Sequence, residues 1–552
     1  MIRAIYNGKI YKSREKFCEA IIIEGGRIAA AGSSREILEA TPAGADKIDA
    51  GGALVLPAFN DSHLHLMWAG RRAGCIEGTG AGSIEEVVRR GREYVARNKP
   101  PRGTYVQGDG INPDFFSAGE KRDLNREDLD KISCEHPVIL SRHCGHTIYC
   151  NSLALRLAGF GDSAPEVENG IIEKDKSGRP TGVVRESANA LIRKPMPPPS
   201  KDDMKQWLRL AMKKAHSLGI SACGSYDADG PDFEGIVGAY LAIYGEARAA
   251  GVPGLRVSMQ CGISASDDIL DEYLKRKKGF TTEKHGEESS RVNHYRWEDP
   301  AWGSFLKMGA VKLFGDGTLG AQTAWMRHPY RDKPETRGVP VLDGQTLTRF
   351  VQKASAGGMQ VLVHAIGDAG IDSAISAFET VSSAGSNPLR HGIIHCQITS
   401  RDLLERMARN KILALVQPVF LADDIGILER RVGPRLAATS YAWGSMRKMG
   451  IPASYSTDAP VSSLDPLLCI EWAVLRNGFC PGEQVDIYAA VDAYTEASAF
   501  SAFDEHNLGR IASGYLADLA FLDRDIFAIA PEDIHKAKVL RTMCAGETVH
   551  EA

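Results

Sequence analysis

Between residues 54 and 457 the chain alternates short apolar runs with helix-like stretches, and this alternation restricts the fold more than any other feature of the sequence. Eight runs qualify as strands: 54–59 (LVLPAF), 219–224 (GISACG), 255–261 (LRVSMQC), 310–314 (AVKLF), 360–364 (QVLVH), 391–396 (HGIIHC), 412–417 (ILALVQ) and 452–457 (IPASYS). Helix-like stretches lie between many of them, at 201–218, 368–384, 400–410 and 441–449. Apolar strands separated by helices are the pattern of parallel βα units. Eight such units predict an α/β fold of the (β/α)8 barrel type. At 552 residues the chain exceeds an ordinary domain, but a barrel with insertions can use most of that length.

Both ends of the chain read differently from the middle. The first 50 residues (AIYNGKIY, EAIIIEGGRIAAAG) and the last 45 (LGRIASGYLADLAFLDRD, VLRTMCAGETVHE) are short strands and turns. They predict one small β-sandwich domain built from both termini, 1–53 and 505–552, around a barrel over 54–504. Residues 66–200 are too long for a simple connection and hold their own strand signals, TYVQG and PVILSRH. They end in the proline-rich KPMPPPSKDD, so an inserted α+β subdomain is expected at about 70–200. The charge-rich stretch 265–305 reads as a solvated surface loop, with a mobile lid as the sharper alternative.

A chain 43% hydrophobic and 25% charged can bury a sizeable core. A net charge of -4 gives no electrostatic reason to expect nucleic acid or acidic lipid as a partner. MIRAIYNGKIY lacks the apolar core of a signal peptide, and no apolar stretch approaches the ~20 residues that span a bilayer. Eleven cysteines, an odd number without a CxxC pair, point to a reduced, cytoplasmic protein.

Active sites of such barrels collect at the C-terminal ends of the strands. The first candidate strand runs into FNDSHLHL, where His63 and His65 stand two apart. Side chains at i and i+2 of an extended segment point the same way, so both imidazoles can face one metal ion. The fifth and sixth strands end in His364 and His395, and Asp458 follows the eighth in YSTDAPV. Singly, each histidine fits a hydrogen-bonded core position and the aspartate fits a cap; together on one rim they fit a metal site better. Imidazoles and carboxylates suit zinc with an open position for water. Zinc lowers the pKa of bound water to roughly 7, and Asp458 is placed to take that proton and pass it to a leaving nitrogen. Cys396 directly follows His395, and in a strand it faces away, which gives it a packing role.

The stretch AVKLFGDGTLGAQTAWM at 310–326 contains a literal GxGxxG, Gly315 to Gly320. A dinucleotide loop needs a helix directly after its glycines and a second strand about 30 residues on. Pro329 and Pro334 cut any such helix short, and TRGVPVLDGQ is poor ground for the strand, so that reading is rejected. Asp316 then belongs to the loop leaving the fourth strand, where it either touches substrate or holds the loop through local hydrogen bonds.

LPAFNDSHLHL, RHCGHTIYCNSLAL (142–155), PTGVVRESA (180–188), KLFGDGTLGAQTAW (312–325), HAIGDAGID (364–372), STDAPV (456–461) and LGRIASGYLADLAFLD (508–523) resemble, in order, blocks of the amidohydrolase superfamily. The branch they resemble is amidohydrolase-3 (YtcJ-like), which includes N-substituted formamide deformylases. Ala58 departs from the glycine usual after the proline. The resemblance implies a metal-dependent hydrolase barrel with a small β domain from both ends. It implies one or two divalent metal ions, zinc first, held by His63, His65, His364, His395 and Asp458, with Asp458 also the catalytic base. Lys312 falls where related enzymes have a carbamylated lysine bridging two metals; an unmodified, uncharged lysine beside one metal is the rival. A carbamate supplies two anionic oxygens, whereas an ammonium has no lone pair to offer. His146, in the inserted subdomain, is the candidate for hydrogen bonding the substrate carbonyl or oxyanion, with a structural role as the alternative. For Asn151 the structural role is expected. The implied activity is hydrolysis of a non-peptide C–N bond in a small amide-like molecule, such as an N-substituted formamide or cyclic amide. Ester hydrolysis, ring deamination and a catalytically silent regulatory protein are the alternatives. No nucleic acid or membrane partner is expected, and a homodimer is an open option.

Overall fold

Pro57 and Ala58 divide the first apolar run into two strands that belong to different sheets. The structure, a computed structural model, describes residues 2–117, 121–142, 147–160, 163–167, 170–229, 233–264, 266–276, 295–296, 305–383 and 385–552. The segment Leu54–Pro57 pairs antiparallel with Leu519–Leu522 and parallel with Lys9–Ser13. Ala58 then donates its N–H to Asp518 O, and Phe59 donates to Gly219 O. The chain thus passes into the barrel at Phe59. The expected first strand, 54–59, is therefore corrected: the barrel's β1 is Phe59–Leu64.

The other barrel strands are β2 (Ile220–Asp229), β3 (Arg256–Gly262), β4 (Leu306–Phe314), β5 (Val361–Ala365), β6 (Gly392–His395), β7 (Leu413–Val416) and β8 (Ala453–Tyr455). Each pairs in parallel with the next, from β1 through to β8. The sheet is an almost closed α/β barrel. Side chains and loop backbone link its last strand to its first: Ser62 Oγ donates to Tyr455 O and Ser454 Oγ to Ser62 Oγ, both at 3.0 Å. Asp61 reinforces this seam, because its carboxylate accepts from Thr457 N, Thr457 Oγ1 and Tyr494 OH. Helices Lys201–Ser217, Asp368–Glu379, Arg401–Asn410 and Trp443–Lys448 occupy the predicted helical stretches.

The termini form two sheets. A four-stranded one joins Arg27–Gly32, Ala20–Glu24, Ile2–Tyr6 and Asp46–Asp49. A six-stranded one sets Glu547–Glu551, Val539–Cys544 and Leu519–Leu522 beside Leu54–Pro57, Lys9–Ser13 and Lys16–Cys18. They share one apolar core that includes Ile5, Ile10, Ile21, Val55, Leu519, Phe521 and Met543. Ala20–Glu24 and Leu519–Leu522 supply alternate residues to that core, Ile21 with Ile23 and Leu519 with Phe521, as sheet packing requires.

The chain divides into two compact units, Met1–Leu66 with Met212–Ala552, and Met67–Ala211. The second has its own six-stranded sheet, Gly170–Lys174, Pro180–Glu186, Thr147–Cys150, Val138–Arg142, Val106–Ile111 and Ile76–Glu77, and its own apolar cores. Asn151 there is wholly engaged by backbone. It accepts from Ala154 N and Val138 N, and donates to Ser133 O and His136 O. His146 and most of 265–305, including the lid alternative, lie outside the described residues; Asp267–Arg276 within that stretch is a helix. No helix among the described residues is long and apolar enough to cross a membrane.

Candidate metal centre

His63 is the penultimate residue of β1 and His65 lies just beyond it, so the two rings share a side, with centroids 5.4 Å apart. His364 comes from β5 and His395 ends β6, with ring centroids 4.5 Å apart. His63 and His395 face each other at 6.0 Å. Asp458 follows β8, and its backbone N–H donates to His63 O. Its Oδ1 lies 3.3 Å from His63 Nε2 and 3.1 Å from His65 Nε2. Ligand atoms of His63, His395 and Asp458 all lie within 4.8 Å of one another, and all three residues are buried.

Three residues at this rim have left-handed backbone: His395 (φ 75°), Cys396 (φ 48°) and Asp458 (φ 55°). That region costs a non-glycine residue about 1 kcal/mol or more, so such residues persist where surrounding contacts over-determine them. At Cys396 the turn ends β6 and sends the thiol against Met407, Sγ to Sδ 3.7 Å, which is a packing contact.

A second ring of side chains holds the first. Gln260 Oε1 is 2.5 Å from His63 Nδ1, and Gln417 Oε1 is 2.7 Å from His395 Nδ1. Asp316 Oδ1 lies 3.3 Å from His364 Nδ1, but its carboxylate is taken up by three backbone donors: Ile366 N, Gly367 N and Trp325 N. It ties the loop after β4 to the end of β5. A Cβ on Gly370 would stand 2.6 Å from Asp316 Oδ2, which explains a glycine there. Gly315 to Gly320 leave β4 as loop and turn, with no helix following until Gly344–Ala356.

Lys312, in β4, is buried with its Nζ 5.0 Å from the Phe314 ring and 5.8 Å from that of Tyr226. Burial pulls its pKa down to about 7, with Asp458 opposing. Burial, then the Lys312 charge, pulls His63 down to about 4; burial and His364 hold His395 well below its usual range. Both imidazoles are therefore neutral at pH 7, with lone pairs to donate.

A divalent cation fits this arrangement. Asp458 Oδ1 is buried and has no hydrogen-bond partner among the described residues, although two imidazole nitrogens stand within 3.3 Å. A buried carboxylate oxygen beside the neutral imidazole of His63 is a costly arrangement that a cation resolves.

The profile of the amidohydrolase family matches residues 46–550, nearly the whole chain. The chain belongs to the amidohydrolase family. It is an amidohydrolase of the metal-dependent kind, a hydrolase of carbon–nitrogen bonds. It is 32% identical over 569 residues to the YtcJ protein of Bacillus subtilis (strain 168), with all of both chains covered. It is 26% identical over 580 residues to the N-substituted formamide deformylase of Arthrobacter pascens, covering 99% of this chain and 97% of that one. A solved, uncharacterized metal-dependent hydrolase from Pyrococcus furiosus superposes with a TM-score of 0.75 at 30% identity, over 96% of this chain and 100% of that one.

The amidohydrolase thus brings His63, His65, His364, His395, Asp458 and Lys312 to one rim, and sets Asp316 just behind it. Sequence reasoning missed Gln260, Gln417, Asp61 and Tyr226. Tyr226 ends against His65, with ring centroids 5.3 Å apart. The only signal for the glutamines was a polar residue inside or directly after an apolar strand, in VSMQC and LALVQ.

Proposed function

We propose that this amidohydrolase cleaves the C–N bond of a small amide-like molecule, with an N-substituted formamide as the first class to try. The observation that carries the reading is the orphaned Asp458 Oδ1 facing neutral imidazoles at the barrel rim. His63, His65, His364, His395 and Asp458 would hold one or two divalent ions, zinc first, with Lys312 as a further ligand. Such an ion supplies Lewis acidity toward the substrate carbonyl and lowers the pKa of water.

Asp458 does the proton work. Its carboxylate is buried with Oδ1 turned toward the centre, so it is placed to accept the proton of the attacking water and then deliver it to the departing amine nitrogen. Lys312 is assigned as a carbamate. Burial pulls the pKa of its amine down to about 7, which makes the uncharged form accessible near neutral pH, and only the free amine can add to carbon dioxide, forming the N–C bond and releasing a proton. His146 is assigned to the substrate carbonyl, a role resting on its sequence block. The formamide class is supported by the Arthrobacter pascens relative.

Metal content of the purified protein and hydrolysis of a panel of N-substituted formamides, cyclic amides and esters test this together. Bound zinc with formate release from the formamides is the expected result. A protein without metal that stays inert after zinc or manganese is added would sink it. Lys312→Ala should lose metal and activity, with short carboxylic acids restoring part of both; full activity in that variant removes Lys312 from the centre.

A further inference from the structure

His63 and His395 are backed in the same way by side chains from unrelated positions. Gln260, in β3, puts Oε1 at 2.5 Å from His63 Nδ1; Gln417, just after β7, puts Oε1 at 2.7 Å from His395 Nδ1. What makes these contacts informative is the other end of each amide. Gln260 Nε2 donates to Ser62 O at 2.9 Å, and Gln417 Nε2 donates to Leu415 O at 3.0 Å and Ser456 Oγ at 2.7 Å. A backbone carbonyl can only accept, so each amide nitrogen must face it and each amide oxygen must face the imidazole. An amide oxygen cannot donate, so the proton between it and the ring belongs to Nδ1. The lone pair of each ring is then on Nε2, the nitrogen that in His63 stands 3.3 Å from Asp458 Oδ1.

We infer that Gln260 and Gln417 are positioning residues that lock His63 and His395 as Nδ1–H tautomers and thereby set the affinity of the metal centre. This rests on the metal-centre reading above. Both glutamines are buried, and both hold rings with no charged group of their own, so they fix the tautomer without adding charge to the site. A third buried glutamine provides a contrast. Gln360 Nε2 donates to Arg390 O and Ser501 O, and its side chain makes no bond to a histidine among the described residues.

The test is zinc binding to the metal-free protein, measured by competition with a chromogenic chelator, beside 15N spectra of histidine-labelled protein. Gln260→Met and Gln417→Met remove the acceptor at nearly constant volume, with Gln→Leu as a second variant at each position should one not fold. Each is expected to weaken zinc binding about 10–100-fold, while Gln360→Met leaves it unchanged. In metal-free wild type, His63 and His395 should carry the proton on Nδ1, and that signal should be lost in the matching variant. Affinities within twofold of wild type, an equal loss in Gln360→Met, or Nε2–H tautomers in the wild type would each overturn the inference. A wild-type protein that shows the Nδ1–H tautomers but takes up no zinc would overturn the affinity claim together with the metal-centre reading. Wild-type binding with unaffected variants would fail this inference alone.

Discussion

An imidazole can ligate only through the nitrogen that lacks a proton, and a carboxylate can act as base only if it is ionised; at this rim burial and the amide oxygens of Gln260 and Gln417 meet the first condition at His63 and His395. Asp458 combines a metal-facing oxygen with the role of proton carrier, and the two can be separated. Asp458→Asn keeps an oxygen toward the centre but cannot take up the proton. We expect the variant to retain most of its zinc by elemental analysis while turnover falls about 10²–10⁴-fold. Turnover near that of the wild type would mean another group is the base. The histidines and Asp458 were legible in the sequence because HxH and strand-end residues follow from the pleat of a strand and the direction of a barrel. Gln260 and Gln417 were not legible, because their partners are set by the register between strands. That register places Gly262 opposite Lys312 and Ile394 opposite Leu415, and no local pattern in the chain records it. Asp316 was read as holding the loop or touching the metal site or substrate; its three backbone donors tie the loop, and its Oδ1 also stands 3.3 Å from His364 Nδ1.

At the scale of the element, strand ends were legible where apolar runs stopped, and illegible where one run served two sheets. LVLPAFND looks like one strand because its apolar residues LVLPAF are continuous; only the antiparallel partner Leu519–Leu522, about 465 residues away, stops it at Pro57. The base of β6 shows a second element-scale device. His391 Nδ1 accepts from Val361 N at 3.0 Å, its Nε2 stands 3.1 Å from Ser355 Oγ, and its ring stacks on Phe378. This is the opposite tautomer from His63 and His395, and protonating Nδ1 would break the bond to β5. Burial pulls the His391 pKa down to about 4 from an ordinary 6.5. The unfolded chain therefore binds the proton first as pH falls, so this stabilisation is complete above pH 6.5 and is lost toward pH 4. From pH 7.5 to 5 the loss amounts to about 2 kcal/mol. Urea unfolding at the two pH values should show His391→Asn losing less stability than wild type by that amount. Equal losses would mean His391 is charged or solvated in the native state.

Across the whole chain, the two β-rich ends flanking a long α/β middle suggested one domain, and the structure pairs Leu54–Pro57 with Leu519–Leu522 over a shared core. The sequence could not show that the terminal sheets are fastened to the barrel by a buried ion pair. Arg256, the first residue of β3, donates to both oxygens of Asp518 at 2.8 and 3.1 Å, directly before the strand Leu519–Leu522. Both side chains are at most 5% exposed. Asp518 also accepts from Ala545 N, and its carbonyl takes the N–H of Ala58, the residue where the chain crosses between sheets. The guanidinium lies over the Phe305 ring at 4.1 Å. A buried pair of this kind is weak evidence of net stabilisation, but removing one partner strands a charge where water cannot reach it. Asp518→Ala should therefore cost about 3–5 kcal/mol in denaturant unfolding, with the terminal strands losing amide-exchange protection before the barrel does. The double variant Arg256→Met, Asp518→Leu should recover most of that loss, because two apolar side chains leave no charge unpaired. If Asp518→Ala costs under about 1 kcal/mol, the shared apolar core around Val55, Leu519 and Met543 is sufficient to hold the ends in place. If the double variant is as damaged as the single, the backbone contacts of Asp518 matter more than its charge, and the crossing at Ala58 becomes the point on which the two sheets depend.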